Sequence, residues 1–366
     1  MTSVVDTFIS SVAHLDYNIN ILLFFIISLG GVVIFTIFAL NAMISVYFER
    51  KVSAFMQDRL GPMEVGIFGF KGGKRFWGGI GQTIADAVKL LVKEDIIPKD
   101  ADRLLMILAP FIIFAGALLT FIAIPLSEGL VLSDFNIGVF YIIAMSSVGV
   151  IGIILAGWSS NNKWSLYGAM RAAAQIVSYE IPIGLSLLLV VLVVGSLHLG
   201  DIVQWQADHR WFIIHSPFTF IAFFIYFIST VAETNRVPFD IPEAESELVA
   251  GWMTEYSGFR WSLFFLSEYA NMLIVSIVAA IVFLGGWLSP LTIINIIPET
   301  WLFLDGPAIG VLWVMLKAII LIFVMKWFRG TFPRLRVDQL MYLCWKVFIP
   351  ISLLNLFLVS LWELII

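Results

Sequence analysis

The sequence is poor in the residues from which many redox and hydrolytic sites are built. It has one cysteine, Cys344, and four histidines without a spacing typical of metal ligands. One thiol can form neither an internal disulfide nor a cysteine-ligated iron–sulfur cluster, and the scattered histidines do not predict a structural metal site. The sequence also has no phosphate-binding loop and no GxSxG elbow, so ATP-driven or hydrolytic chemistry is not indicated.

Charged residues are scarce as well. They make up 13% of the 366 residues, and no strongly basic segment predicts a nucleic-acid partner. In contrast, 60% of the residues are hydrophobic, and the mean hydropathy is +0.99. A soluble domain does not need so much apolar surface, so the composition predicts a polytopic membrane protein.

Eight apolar runs reach the length of about 20 residues that a membrane-spanning helix needs. They cover approximately residues 21–47, 104–126, 138–158, 168–197, 217–235, 261–284, 308–328 and 341–364. We therefore predict an all-α polytopic membrane protein with about eight transmembrane helices, formed as a single membrane domain over 1–366. No Lys- or Arg-rich segment precedes the first run, which favours a membrane helix there over a cleaved signal peptide.

The basic residues are distributed unequally between the two sides of these helices. Ten of the 21 Lys and Arg residues lie in loop 48–103, two flank the third connection, two flank the fifth and four mark the seventh. Only Arg210 is assigned to the other side. The positive-inside rule then predicts cytoplasmic long loops and both termini on the periplasmic side.

Two cytoplasmic loops have patterns typical of helices that lie on the membrane surface. In loop 48–103, the segment GIGQTIADAVKLLVKED has an apolar stripe at helical spacing but is too short and too charged to span. In the acidic loop 233–260, EAESELVAGWMTEYSG is a second candidate, with Pro242 suited to its first turn.

Ionisable residues within predicted spans are functional hypotheses by default. Glu180 and Glu268 lie inside the fourth and sixth spans, while Glu49 and Glu233 lie near the cytoplasmic ends of the first and fifth. Lys317 lies near the middle of the seventh. All these positions fall in the cytoplasmic half of the membrane or at mid-depth.

Two interpretations of these acids are open at this stage. They could be counter-ions that hold the bundle together, since buried ions are usually paired. Alternatively, some of them exchange protons, because the acids outnumber the basic residues at that depth. Glu243 and Glu247 would repel each other at i, i+4 in a helix, which favours a protonated form, although the dipole of a first helical turn also favours acids.

The arginines near the cytoplasmic interface are equally ambiguous. Arg329, Arg334 and Arg336 lie in FRGTFPRLRVDQL. They could be positive-inside anchors, or a polar wall that orients a headgroup or docks a protein. All four histidines are assigned to the outer side, so they cannot supply protons to a reaction on the cytoplasmic side.

Six segments together resemble a known family. They are ERKVSAFMQDRLGP, IADAVKLLVKED, NNKWSLYGAMRAAAQIVSYEIP, AETNRVPFDIPEAESELVAG, SEYANM and PRLRVDQLMYLCWKVFIP. In this order they are similar to signature segments of the H subunit of respiratory NADH–quinone oxidoreductase, complex I. The resemblance extends from Tyr47 to Pro350, and ETNRxPFDxPEAESELV is its most specific motif.

This resemblance implies a bacterial inner-membrane subunit of a proton-translocating NADH:quinone oxidoreductase, at the junction of the peripheral and membrane arms. Such a protein forms the membrane side of the quinone chamber and binds no redox centre, because FMN and the iron–sulfur clusters are on partner subunits. Its implied neighbours are the peripheral-arm quinone-site and iron–sulfur subunits, and the small membrane subunits that lead to the antiporter-like ones.

The resemblance also assigns roles to individual residues. The implied proton-coupling residues are Glu180, Glu233, Asp240, Glu243, Glu245, Glu247 and Glu268. The implied quinone-chamber residues are Glu49, Arg50, Asp86, Arg236, Arg334 and Arg336. We hypothesise that quinone reduction changes the charge of the acidic loop and that this change passes through Glu180 and Glu268 to the adjoining membrane subunit.

Several rival functions are compatible with parts of the sequence. The membrane anchor of a hydrogenase and a ferredoxin-fed relative would share many of these motifs, although the ERK-to-LGP segment and the ETNRxPFD loop favour the quinone enzyme. A stand-alone proton-coupled transporter is disfavoured, because the sequence has no inverted repeats and no pair of broken helices. A purely structural membrane dock would tolerate amide replacement of every intramembrane carboxylate.

Overall fold

The computed structural model describes residues 18–66, 78–242, 245–290 and 306–365, with the side chains of 18–27, 245 and 246 left out. Within these ranges the chain is helical, and the only β-structure is an isolated bridge between Ser127 and Leu130. The predicted all-α class is therefore confirmed.

Twelve helices, numbered here in chain order, and one short 3₁₀ turn make up the described fold. They are α1 (Asn18–Met56), α2 (Gly81–Val92), α3 (Arg103–Ile122), α4 (Gly138–Ser159), α5 (Lys163–Val194), α6 (Leu199–Asp208), α7 (Phe212–His215), α8 (Pro217–Glu233), α9 (Glu245–Leu248), the 3₁₀ turn Gly251–Met253, α10 (Gly258–Phe283), α11 (Pro307–Thr331) and α12 (Val337–Ile365). The last helix contains a π-helical segment, Leu343–Phe348.

Seven of these helices are long and apolar enough to cross a membrane, counted over the described residues: α1, α3, α4, α5, α10, α11 and α12. The eighth predicted span is α8, which has 17 residues and is also apolar. A capping box of Ser216 and Thr219 starts this helix, and the left-handed backbone of Asn235 (φ 50) follows its end. At 1.5 Å per residue α8 is about 26 Å long, near the lower limit for a span.

Two segments depart from the sequence-based boundaries. Helix α1 continues to Met56, so Glu49 and Arg50 lie within a helix and not at the start of a loop. The predicted helix in the acidic loop is wrong in length: α9 has four residues. It ends there because Val249 and Gly251 both adopt positive φ angles, of 67° and 54°, which a right-handed helix cannot contain.

Helix α10 forms the centre of the bundle. Its residues from Tyr269 to Phe283 are almost all buried, with α1, α3, α8 and α11 among the helices packed around it. The carbonyls just beyond its end are satisfied by Lys317 of α11, whose Nζ donates hydrogen bonds of 2.7 Å to both Gly286 and Leu288. The N-terminal half of α10 carries Glu268 and Tyr269, which face α1 and the end of α8.

Candidate functional site

A cavity of about 810 Å³ opens where the end of α1, the loop after α8, the start of α10 and the end of α11 meet. Aromatic side chains of α10 (Trp261, Phe265 and Tyr269) form part of its wall. Its charged lining residues are Glu49, Arg50, Arg59, Arg236, Glu268 and Arg329. The cavity therefore combines an apolar surface with hydrogen-bond donors and two carboxylates.

Glu49 is the most buried carboxylate of this cavity, with 6% of its side chain exposed. Its Oε2 accepts a hydrogen bond of 2.7 Å from the hydroxyl of Tyr269. Its Oε1 lies 3.7 Å from Arg236 and forms an ion pair with Arg329. Two arginines and a tyrosine thus compensate the cost of burying this charge.

Arg236 connects the two carboxylates of the cavity. One guanidinium nitrogen is 3.7 Å from Glu49 and another is 3.5 Å from Glu268. The guanidinium carbon also lies 4.3 Å from the centre of the Tyr269 ring, within the range of a cation–π interaction. The planar, forked guanidinium suits this simultaneous contact with two acids and a ring better than an ammonium would.

The loop that carries Arg236 is held from two sides. Gln175 of α5 is buried, and its Nε2 donates to the carbonyls of Ala232 (2.7 Å) and Phe239 (2.9 Å) at either end of this loop. On the other side, Arg334 forms a 3.0 Å ion pair with Asp240. These contacts fix the position of the guanidinium relative to the cavity.

The outer part of the cavity is formed by α1 and the turn that follows it, and α2 packs beside α1. Arg50 forms a 2.7 Å ion pair with Asp86 of α2, and Gln82 also donates to Asp86, at 2.9 Å. Lys51 is almost fully buried and donates to the carbonyl of Leu60 at 3.1 Å, which folds the turn back onto α1.

Two smaller cavities lie deeper in the bundle, and each shares one carboxylate with the cavity before it. Glu268 lines both the large cavity and a cavity of about 50 Å³. Glu233 lines this second cavity and a third, of about 30 Å³, which is also lined by Glu180. The three acids thus follow one another along a series of cavities into the bundle.

The acids fall into two groups, according to whether a cation of the described residues lies within 4.0 Å of the carboxylate. Glu49, Asp86, Asp240, Glu247 and Glu268 each have an arginine within 4.0 Å. Glu180 and Glu233 have no Lys, Arg or His within that distance in the described ranges, and Glu180 Oε1 is buried there without a hydrogen-bond partner. The counter-ion interpretation therefore fits the first group, and it does not account for Glu180 and Glu233.

Other residues singled out in the sequence lie away from the cavities. Glu247 is 59% exposed and pairs with Arg171 at 2.7 Å. Arg336 is 81% exposed and lies 3.6 Å from Asp338. Glu243 lies outside the described residues, and Glu245 begins α9 with an undescribed side chain.

Three residues of the site were not in the sequence-based set. Arg329 was interpreted as an interfacial anchor or as part of a polar wall, without a place in the quinone chamber, and Tyr269 beside Glu268 in SEYANM was not singled out. Lys326 was counted only among the four basic residues that mark the seventh connection, and it lies in α11 with 5% exposure. Helical spacing is the one sequence feature that could have identified Lys326, because Lys326 and Arg329 are three residues apart and therefore share a helix face.

The fold and the site together define a polytopic all-α membrane protein with a charged cavity at one end of its bundle and carboxylates leading inward. The sequence model of the NADH dehydrogenase family matches residues 11–360. This match covers nearly the whole chain, which therefore belongs to the NADH dehydrogenase family.

Individual relatives agree with this assignment. The H subunit of NADH-quinone oxidoreductase from Chlorobaculum parvum is 51% identical over 321 residues, which are 87% of this chain and 86% of that protein. The proteins of the same name from Bacteroides thetaiotaomicron and a Geobacillus species are each 48% identical, over 338 and 342 residues. The alignments cover 90% and 93% of this chain, and 88% and 94% of those proteins.

Proposed function

We propose that this chain is the membrane subunit of a proton-translocating NADH:quinone oxidoreductase, in which the 810 Å³ cavity receives the quinone headgroup. Its relatives carry the name of the H subunit of NADH-quinone oxidoreductase. In this proposal NADH supplies two electrons through redox centres on partner subunits, and quinone takes up these two electrons and two protons to become quinol.

The lining of the large cavity supports a quinone as its ligand. A quinone headgroup is a flat apolar ring with two carbonyl oxygens that accept hydrogen bonds. Trp261 and Phe265 offer apolar ring surface, and Arg50 and Arg59 offer donors on the outer side of the cavity. Arg236 and Arg329 provide positive charge where the reduced headgroup would become negative.

The shared carboxylates are the observation that carries the coupling part of the proposal. Glu268 borders the first and second cavities, Glu233 the second and third, and Glu180 the third. Glu233 and Glu180 border one small cavity without a cation within 4.0 Å in the described residues, so two negative charges there would repel each other. At least one of them is then protonated, and a change of charge in the large cavity shifts that proton.

The remaining acids have a different part in the proposal. Asp240 and Glu247 anchor the acidic loop through Arg334 and Arg171, and Glu243 and Glu245 belong to the same loop. We assign the cavity to the cytoplasmic side, where the basic residues cluster, and both termini to the periplasmic side. Partners of the chain are then the peripheral-arm subunits at the cavity and the small membrane subunits beyond Glu180.

The test replaces Glu233 by glutamine in the assembled enzyme, with NADH:quinone reduction and proton pumping measured in the same vesicles. We expect both rates to fall by at least about tenfold, because an amide cannot accept and release a proton. Glu233→Asp, which keeps a titratable group, should recover part of both rates. Glu128→Gln, an exposed carboxylate outside the cavities, is the matched control and should have no effect.

The coupling proposal would be overturned if Glu233→Gln and Glu180→Gln both left reduction and pumping at the level of the control. If reduction persisted and pumping alone were lost, the carboxylates would carry protons without limiting the chemistry. An assembled Glu233→Asp enzyme gives a valid comparison even when the glutamine variant fails to assemble.

A further inference from the structure

Lys326 is a buried lysine that has no role in the proposed function. It lies in α11 one helical turn from Arg329, on the same face, and only 5% of it is exposed. Arg329 reaches the cavity and pairs with Glu49. Lys326 does not line the cavity, so it lies behind the first layer of charged residues.

Lys317 of the same helix provides a direct comparison. It is equally buried, at 5% exposure, but its ammonium donates to two carbonyls at 2.7 Å and lies 4.2 Å from the Trp211 ring centre. In the described part of the chain, Lys326 has no hydrogen bond and no carboxylate within 4.0 Å. Its neighbour on the same helix face is Arg329, which has the same sign.

An ammonium without a partner is unfavourable in a buried site, and a neighbouring cation makes it more so. Burial without a partner favours the neutral amine over the ammonium, and we take the neutral amine as the resting form. The two carboxylates of the cavity are already balanced, since Glu49 pairs with Arg236 and Arg329, and Glu268 pairs with Arg236. Arg50, the cation of α1 that lines the cavity, is engaged by Asp86.

Negative charge that arrives in the cavity changes this balance. Such charge would partly offset the positive field of Arg236 and Arg329, and it would make a proton on Lys326 favourable. The amine nitrogen would then form an N–H bond with a proton taken up from the aqueous phase. The new ammonium would in turn stabilise the negative charge in the cavity.

We propose that Lys326 is a positioning residue that takes up a proton when the quinone headgroup becomes negative, and thereby stabilises the reduced headgroup through Arg236 and Arg329. This inference rests on the proposed function, because it takes the quinone as the source of the charge. It assigns to α11 a proton acceptor separate from the Glu268, Glu233 and Glu180 series.

The experiment compares Lys326→Met and Lys326→Arg in the assembled enzyme, with NADH:quinone reduction measured from about pH 6 to about pH 9. Lys326→Met keeps the length of the side chain and removes the proton acceptor, so kcat should fall at least fivefold with little change in KM. Lys326→Arg supplies a permanent charge, so it should retain most of kcat while the pH dependence of kcat becomes flatter. Lys346→Met, on an exposed face of α12, is the control and should behave as the wild type.

The opposite ranking would overturn the inference. A role in packing alone predicts that Lys326→Met is tolerated, that Lys326→Arg is damaging and that the pH profile keeps its shape. If Lys326→Met does not assemble, the pH profile of Lys326→Arg decides, and an unchanged profile rejects the role. Failure of the proposed function is seen separately, since Glu233→Gln and Glu180→Gln would then resemble their own control whatever the Lys326 variants do.

Discussion

The hydroxyl of Tyr269 donates a 2.7 Å hydrogen bond to Glu49, a residue 220 positions earlier in the chain. The face of the same ring lies 4.3 Å from the guanidinium of Arg236. One side chain therefore positions both a buried carboxylate and the arginine between the two acids of the cavity. Tyr269 links α1, α10 and the acidic loop at the point where they enclose the cavity.

Replacement of Tyr269 by phenylalanine tests this link. The ring remains for Arg236, but Glu49 loses a hydrogen bond to a charged group, which is worth about 1.5–3 kcal/mol. We expect kcat/KM for quinone to fall by about tenfold or more. Tyr179→Phe is the matched control, because its buried hydroxyl donates to the carbonyl of Leu340 at 3.0 Å, away from the cavity lining. Equal effects of the two variants would contradict a specific role for Tyr269.

His198 lies between two carboxylates in the connection from α5 to α6, outside the spanning helices. Its Nε2 is 2.6 Å from Asp134 and its Nδ1 is 3.0 Å from Asp201. Burial disfavours the imidazolium, but the hydrogen bonds and charges of the two aspartates outweigh it and raise the pKa of His198. The hydrogen bond from the Ser196 hydroxyl lowers the pKa of Asp201. Burial acts in the opposite direction, but the hydrogen bond and the charge of His198 lower this pKa as well.

These shifts predict a pH-dependent stability with a definite sign. The raised pKa of His198 stabilises the fold at low pH, and this contribution is lost as the pH rises through the raised value. The lowered pKa of Asp201 contributes above its unfolded value and is lost as the pH falls through the lowered one. The melting temperature should therefore decline on the alkaline side of the His198 titration and again in strong acid.

His198→Gln should flatten the alkaline decline, as measured by the melting temperature of the purified protein across the titration of histidine. His209→Gln is the control: its ring stacks on Trp205 at 4.4 Å, and no carboxylate of the described residues pairs with it. If the melting temperature of His198→Gln declined as much as that of the wild type, the contacts with Asp134 and Asp201 would not cause the pH dependence.

Gly168 of α5 packs directly against the turn that shapes one wall of the cavity. A Cβ atom there would lie 2.6 Å from Cα of Gly251 and 2.8 Å from the amide nitrogen of Trp252. These are backbone atoms and cannot rotate away, so Gly168→Ala should destabilise the protein by about 1–3 kcal/mol. Because the same turn places Met253 in the cavity wall, the quinone reduction rate should fall as well.

Gly184→Ala, on the same helix, is the matched substitution. No atom lies within 4 Å of a Cβ at that position, and alanine favours the helix over glycine by up to about 1 kcal/mol. We expect a melting temperature equal to that of the wild type or higher. A loss of stability as large as that of Gly168→Ala would show that the effect does not come from contact with Gly251.

The arrangement of the acids shows how far the sequence can be interpreted by itself. The spacing of Glu180, Glu233 and Glu268 within apolar runs was enough to predict intramembrane carboxylates. It could not show that Glu268 and Glu49 share Arg236 while Glu247 pairs with the distant Arg171. Nor could it show that the acidic helix stops after four described residues, since the positive φ of Val249 contradicts the preference of a β-branched residue.

The sequence alone determined the all-α class, the apolar spans and the scarcity of redox ligands, because hydrophobicity, helical spacing and composition are local properties. Only the tertiary structure decided which carboxylates have an arginine beside them and which border a cavity without one. The cluster of Glu49, Arg236, Tyr269 and Arg329 comes from four separate segments, and Glu49 contacts each of the other three. Those contacts arise from the packing of α1, α10 and α11, which no single stretch of the chain encodes.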